Sequence, residues 1–245
     1  MVTGNEPARS PSGVSHKDVW LAVETATPTG SVAVWKDGLA FEQTLRIQST
    51  HSELLMPAID HALNVTGTTP GDVSAFIVGS GPGSFTGVRV GASLAKGWAM
   101  ARGIPLYAYS SLLAVAAGAG VAGSICPMFD ARRRQVYAAC YDLSGEGVSE
   151  LLAPQAWYIE ELLGEISTRG IQPVFAGDGS LVHGEAVLEA FEEATLLPGH
   201  LSVPRAASLL WLRRVVPELG RVVEPDTWEP LYVRDWRVPD GTERR

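Results

Sequence analysis

The stretch Gly79-Ser80-Gly81-Pro82-Gly83-Ser84-Phe85-Thr86-Gly87-Val88-Arg89-Val90-Gly91 has the composition of a loop that could hold an anion. It follows an apolar run, Ala75 to Val78, and precedes a long Ala- and Gly-rich run that reads as a helix. Glycines between a strand and a helix turn backbone N–H groups outward at a helix N-terminus, a common way to bind phosphate. Two phosphate patterns fail on it. A P-loop needs Lys and then Ser or Thr after its last glycine, and here Gly87 is followed by Val88-Arg89. The dinucleotide pattern G-x-G-x-x-G would need glycine at Ser84 or Thr86. The cofactor-binding candidates are therefore weak ones, Gly81, Gly83, Ser84, Thr86 and Gly87. The alternative is structural, with the glycines supplying positive φ and close packing.

Other chemistries find less support. The histidines, His16, His51, His61, His183 and His200, show no metal-ligand spacing beside a Cys or carboxylate cluster. Cys126 and Cys140 fall on what read as two strands of one hairpin. With no secretion signal they are expected to be free, buried thiols. The net charge of -8 argues against a protein that grips nucleic acid by itself. The dense basic run, Arg132-Arg133-Arg134, reads as a solvated turn. Residues 1–17 are polar and rich in Pro, Ser and Gly, an expected disordered extension. No apolar stretch reaches the length of a membrane span, and a cytoplasmic location is expected.

The elements that must position these residues can be read from periodicity. Val19 to Val23, Ser31 to Trp35 and Leu39 to Arg46 form three strands in hairpin succession. Thr50 and Glu53 make a capping-box pattern that opens a helix through about Asn64, with Pro57 inside it. The strand Ala75 to Val78, the glycine loop, the helix to Arg102, the strand Ile104 to Ala108 and a helix capped by Ser110 follow. Part of this order recurs. Ile125 to Asp130 and Gln135 to Asp142 read as a hairpin. A helix over about Gln155 to Gly164, the strand Pro173 to Ala176 and a helix Leu181 to Glu193 come next, and a further helix spans about Arg205 to Leu219. The order β-β-β-α-β-α-β-α predicts an α/β fold of two actin-like, ribonuclease-H-like lobes, each a mixed sheet with flanking helices. The expected division is 18–110 and 111–234, the latter including a return helix, with a tail over 235–245.

An actin-like ATPase carries a phosphate loop after its first strand, with Asp, any residue, Gly, then Ser or Thr. Here the position reads Glu24-Thr25-Ala26-Thr27, and the Ala26 methyl blocks close backbone approach. ATP hydrolysis is not expected. Gly87, Gly91, Ala95 and Ala99 recur every four residues and form a small-residue ridge on one helix face. Such a ridge admits close approach of another helix. The broad stripe Leu54, Leu55, Ala58, Ile59 suggests a neighbouring helix that faces both a sheet and a partner.

Leu21 to Thr27, His51 to Pro57, Gly81 to Gly91, Asp130-Ala131-Arg132 with Val136-Tyr137, Ala176 to Gly179 and Glu229 to Arg234 together resemble the bacterial TsaB (YeaZ) family. The resemblance runs from about Val19 to Arg234, and G-P-G-S-F-T-G-x-R is its most specific block. It implies a non-catalytic subunit, with no catalytic residue of its own. Such a subunit pairs with a homologous catalytic subunit of the TsaD type, or with a second copy of itself, and works with a TsaE-type ATPase. The complex transfers a threonylcarbamoyl group to N6 of an adenosine beside the anticodon, in tRNAs reading codons that start with A. It implies tRNA contact only through the complex, no cofactor and no metal. The interface is expected on the helices 51–64 and 86–102, at Leu54, Leu55, Ala58, Ile59, Gly87, Val88, Gly91, Ala95 and Ala99. The H-x-x-x-H metal motif of the catalytic subunit would place its second histidine at Leu55, and the family's usual Asp is Glu24 here. The alternatives are a small-molecule kinase of the same superfamily and, less favoured, a metallopeptidase.

Overall fold

A computed structural model describes residues 18–46, 51–145 and 147–232, with side chains in the first helix from Leu54 onward. The N-terminal extension, Thr50 and the side chains of His51 and Glu53, Val233, Arg234 and the tail lie outside the described residues. In chain order the elements are β1 (Val19–Glu24), β2 (Thr29–Lys36), β3 (Leu39–Arg46), α1 (His51–Val65), β4 (Val73–Gly79), α2 (Phe85–Arg102), β5 (Leu106–Tyr109), α3 (Ser111–Gly118), β6 (Ser124–Asp130), β7 (Gln135–Asp142), β8 (Ser149–Tyr158), α4 (Ile159–Thr168), β9 (Val174–Ala176), α5 (Asp178–Val182), α6 (Gly184–Ala190), α7 (Ala206–Val215), α8 (Pro217–Gly220) and β10 (Arg221–Val222).

Two mixed sheets result. The first has the order β10-β5-β4-β1-β2-β3 and the second β8-β7-β6-β9. β1 runs parallel to β4 and antiparallel to β2, and every one of its residues is buried. Side chains alternate across a strand, so β1 serves two cores. Val19, Leu21 and Val23 meet α1 and α2 on one face, while Trp20 and Ala22 meet α3 and α7 on the other. The layer of α3 and α7 also receives Ile125, Phe129, Ala139 and Tyr141 from the second sheet, whose far face packs on α4 and α6. Cys126 and Cys140 share that far face, buried and free. Among the described residues no helix is long and apolar enough to cross a membrane.

Several elements depart from the sequence reading. The expected helix over 155–164 starts only at Ile159, because Gln155 to Tyr158 finish β8 in register with β7. β8 lies at the sheet edge, where Pro154 forfeits no ladder bond. The helix over 181–193 is two short helices broken at His183, and the first begins earlier, at Asp178. The helix 205–219 stops at Val215 because Pro217 lacks an N–H and restricts the residue before it. Its sequel β10 pairs with β5, and α7 packs against β1, β2 and β4. A boundary at residue 110 therefore leaves α7, α8 and β10 with the wrong sheet.

α7 is fastened to the first sheet at its N-terminus. The Ala206 N–H donates to Ser31 Oγ at 2.8 Å and the Ala207 N–H to Glu42 Oε1 at 3.1 Å, while Arg205 forms an ion pair with Glu42. A carboxylate at a helix start also opposes the positive end of the dipole. Farther along, the Arg213 guanidinium lies 4.1 Å from the Tyr107 ring centroid and 4.9 Å from that of Trp20.

Candidate functional site

Glu24 ends β1 and is fully buried. Its Oε1 accepts the Ala26 N–H at 2.7 Å and its Oε2 accepts the Ser111 hydroxyl at 2.9 Å. Burial pushes the carboxyl up to about 7, against the opposing pull of the bonds from Ala26 and Ser111. Ser111 Oγ in turn accepts the Gly81 N–H at 3.2 Å, and the Ser111 N–H donates to Gly81 O at 2.7 Å. The acid that would face metal-bound water in an ATPase is here an internal tie between β1, α3 and the glycine loop.

The glycine loop closes over the loop after β1. The Ser84 N–H donates to Ala26 O at 2.7 Å, and Thr25 Oγ1 donates to Gly87 O at 2.8 Å. Gly83, in the left-handed region at φ 157°, presses on Ala26 so closely that a Cβ there would overlap its carbonyl. The Ser80 N–H is taken by Tyr109 O, and Ser84 Oγ accepts from the Gly87 N–H at 3.4 Å as the N-cap of α2. Of the cofactor candidates, Gly81, Ser84 and Gly87 thus spend their donors on protein groups, Gly83 is packed, and Thr86 is exposed. The N–H groups of Ser80, Gly81, Ser84 and Gly87 are thus already paired, at about 1 kcal/mol for each bond.

The ridge on α2 turns inward. Gly87, Gly91, Ala95 and Ala99 are all buried, and a Cβ at Gly91 would strike Thr25 Oγ1. The small residues admit β4 and the loop after β1. Leu55, Ala58, Ile59 and Val88 are likewise buried within this chain. Of the expected interface residues only Leu54 faces out, at 42% exposure. The outward faces of the two helices carry Met56, Val65, Phe85, Arg89 and Met100. Apolar periodicity marks the buried stripe and gives no signal for its rim.

Two further sequence blocks find their places here. Glu229 to Tyr232 crosses the glycine loop, where the Leu231 N–H donates to Ser80 O at 2.8 Å. Tyr232 lies 5.6 Å from the Phe85 ring, and Arg89 stacks 5.1 Å over that ring. Gly177 and Gly179 press on the Met128 backbone, so a Cβ at Gly177 would overlap Met128 O. This seats Asp178, whose Oδ1 accepts the Asp130 N–H at 3.2 Å. Asp130 Oδ1 accepts the Arg132 N–H at 3.0 Å.

The β6–β7 turn that follows is unusual. Arg132 O accepts the Gln135 N–H at 3.0 Å, and the two central residues, Arg133 and Arg134, have φ of 53° and 61°. This is a hairpin turn of the I′ kind, normally filled by Asn-Gly. Arg132 is also left-handed, at φ 64°. Non-glycine residues in that region cost on the order of 1–2 kcal/mol each. Among the described residues no group of three His, Cys, Asp or Glu side chains could hold a metal ion.

With this geometry in place, the comparisons with known proteins decide the family. Residues 46–215 match the family described as TsaD: tRNA N6-adenosine threonylcarbamoyltransferase. The chain is similar to the tRNA threonylcarbamoyladenosine biosynthesis protein TsaB of Escherichia coli (strain K12), 30% identical over 241 residues, 91% of this chain and 99% of that one. The chain belongs to the TsaB family. The Bacillus subtilis (strain 168) TsaB is 34% identical over 169 residues, 68% of this chain and 74% of that protein. The solved YeaZ from Pseudomonas aeruginosa superposes with a TM-score of 0.73 at 27% identity, covering 88% of this chain and 99% of that one. A further Pseudomonas aeruginosa structure, described as similar to peptidase YEAZ, gives 0.78 at 28% identity, covering 89% and 100%. That description does not carry a peptidase site across. The glycine loop, the α1 and α2 helices and the Asp130 turn all lie within the stretch shared with the Escherichia coli TsaB.

Proposed function

We propose that the chain is a non-catalytic subunit in the biosynthesis of threonylcarbamoyladenosine in tRNA, working in the cytoplasm by pairing with a TsaD-type catalytic subunit alongside a TsaE-type ATPase. The observation that carries this reading is the closed loop pair. Glu24, Ser111 and Ala26 fill with protein bonds the place where an actin-like enzyme would hold phosphate. Such a chain contributes surface rather than chemistry. The surface we assign to the partner, or to a second copy of the chain, is the outward rim of α1 and α2. Leu54 and Met56 lie on one helix and Phe85, Arg89 and Met100 on the other. Large apolar side chains exposed along two adjacent helices, with arginine among them, have the composition of an interface core.

The test is reconstitution of threonylcarbamoyl transfer to tRNA from purified TsaD-type and TsaE-type proteins, with and without this chain. Transfer should fall at least tenfold when the chain is left out. Undiminished transfer in its absence would end the proposal.

A further inference from the structure

We propose that the Arg132–Arg134 turn is a contact for the phosphodiester backbone of RNA. The inference rests on the reading of the chain as a tRNA-modification subunit and adds a direct contact to it. An I′ hairpin turn needs left-handed backbone at both central positions, which Asn and Gly adopt readily and arginine does not. Arg133 and Arg134 hold those positions, and Arg132 adds a third left-handed residue. All three are exposed, so packing does not explain the choice. Backbone strain kept at an exposed turn points to a use for the side chains themselves.

The surroundings favour an anion with many charges. Arg134 pairs with Glu160, but among the described residues no carboxylate lies within ion-pair distance of Arg132 or Arg133. The turn is also held in place. Its backbone is bonded to Asp130 through the Arg132 N–H and to α4 through the Ile159 N–H, which donates to Arg134 O at 3.1 Å. A fixed turn loses little freedom on binding. The chain as a whole, at a net -8, repels a polyanion, so such a contact must be local. The turn offers no apolar side chain, since Ala131 is buried, and so lacks the core that a protein interface needs.

The test replaces the turn by the pair it would prefer, Arg133→Asn with Arg134→Gly. The full chain, in complex with its TsaD-type partner, is titrated with an unmodified tRNA transcript at several salt concentrations. The proposal expects Tm to rise by roughly 2–6 °C as the strain is relieved. It expects the slope of log K against log salt to shrink by roughly 0.7–0.9, the loss of the Arg133 phosphate contact, Arg134 being paired with Glu160. KM for tRNA should rise several-fold with kcat kept, and Arg133→Lys with Arg134→Lys should retain most of the slope. An unchanged slope and KM overturn it. So does weaker assembly with the protein partner at unchanged slope, which would make the turn a protein contact. The same titration of the isolated chains at low salt separates the two ideas. Equal binding by parent and variant there overturns the RNA contact whatever becomes of the partner. Failure of the chain to assemble, with the difference in RNA binding intact, overturns only the subunit reading.

Discussion

The Glu24 carboxylate occupies the space that a side chain on residue 79 would need. A Cβ built on Gly79 would overlap both carboxylate oxygens. Residue 79 is thus glycine because a buried acid lies against it, one strand over. Gly79→Ala should cost about 1–3 kcal/mol, the usual range for overpacking a filled core. Denaturant unfolding of Gly79→Ala, Glu24→Ala and the double variant would measure the pair. The expected result is a double variant less destabilised than the sum of the two; simple additivity would show that the residues do not constrain each other.

The same acid sets a pH dependence. Its folded carboxyl titrates at about 7 against an ordinary value of 4.5, with burial as the largest cause. Between those pH values the folded chain holds a proton that the unfolded chain has released. Stability therefore falls as pH rises through this window and levels off above it, a total of about 3 kcal/mol. Glu24→Gln should flatten the profile of unfolding free energy between pH 5 and 8. A variant with the parent's slope would locate the titration elsewhere.

The inward ridge and the outward rim of α1 and α2 should respond oppositely to substitution. Gly91→Leu drives a side chain into Thr25 and should unfold the lobe or lower Tm by several degrees. Met100→Asp, on a side chain 58% exposed, should leave stability within about 0.5 kcal/mol. Size-exclusion chromatography with the TsaD-type partner would then find Met100→Asp folded but impaired in assembly. Normal assembly by Met100→Asp and Leu54→Asp together would move the interface off these helices.

Cys126 and Cys140 lie on neighbouring strands, both buried and free. Burial, reinforced by Cys140, raises the Cys126 thiol well above its ordinary value. Thiolate is the reactive form, so Cys126 should resist a thiol reagent at neutral pH in the folded protein, and Cys140 should resist it through burial. Labelling should appear only at denaturant concentrations where the far-UV signal is lost. Rapid labelling of the native chain would contradict their burial.

The central part of the fold was legible because its signals are local. β1, β4 and β5 read as apolar runs, and Ser110 marks a helix start. The departure at Glu24-Thr25-Ala26 was equally plain, since the loss of a glycine is visible in one residue. What stayed hidden depends on distant neighbours. The ridge Gly87-Gly91-Ala95-Ala99 declares that something approaches closely but not what, and the answer, Thr25, lies more than sixty residues away. β10 is two residues long and has no period to read, so its return to β5 is set by pairing alone. Outward residues such as Met56 and Met100 carry no pattern, so periodicity points only to the buried side of these helices.

The fastening of Ala206, Ala207 and Arg205 to Ser31 and Glu42 has a consequence for synthesis. The first sheet is assembled from both ends of the described chain, with the second sheet inserted between them. A nascent polypeptide that has just emerged through residue 118 holds β1 to β5 and α1 to α3, yet one sheet face awaits α7 and the β5 edge awaits β10. The ribosome must deliver about a hundred more residues before that face is covered, at roughly 5–20 residues per second. For several seconds the growing chain exposes Trp20, Ala22 and Ile77, and chaperones that recognise apolar sheet surface have their opportunity in that interval.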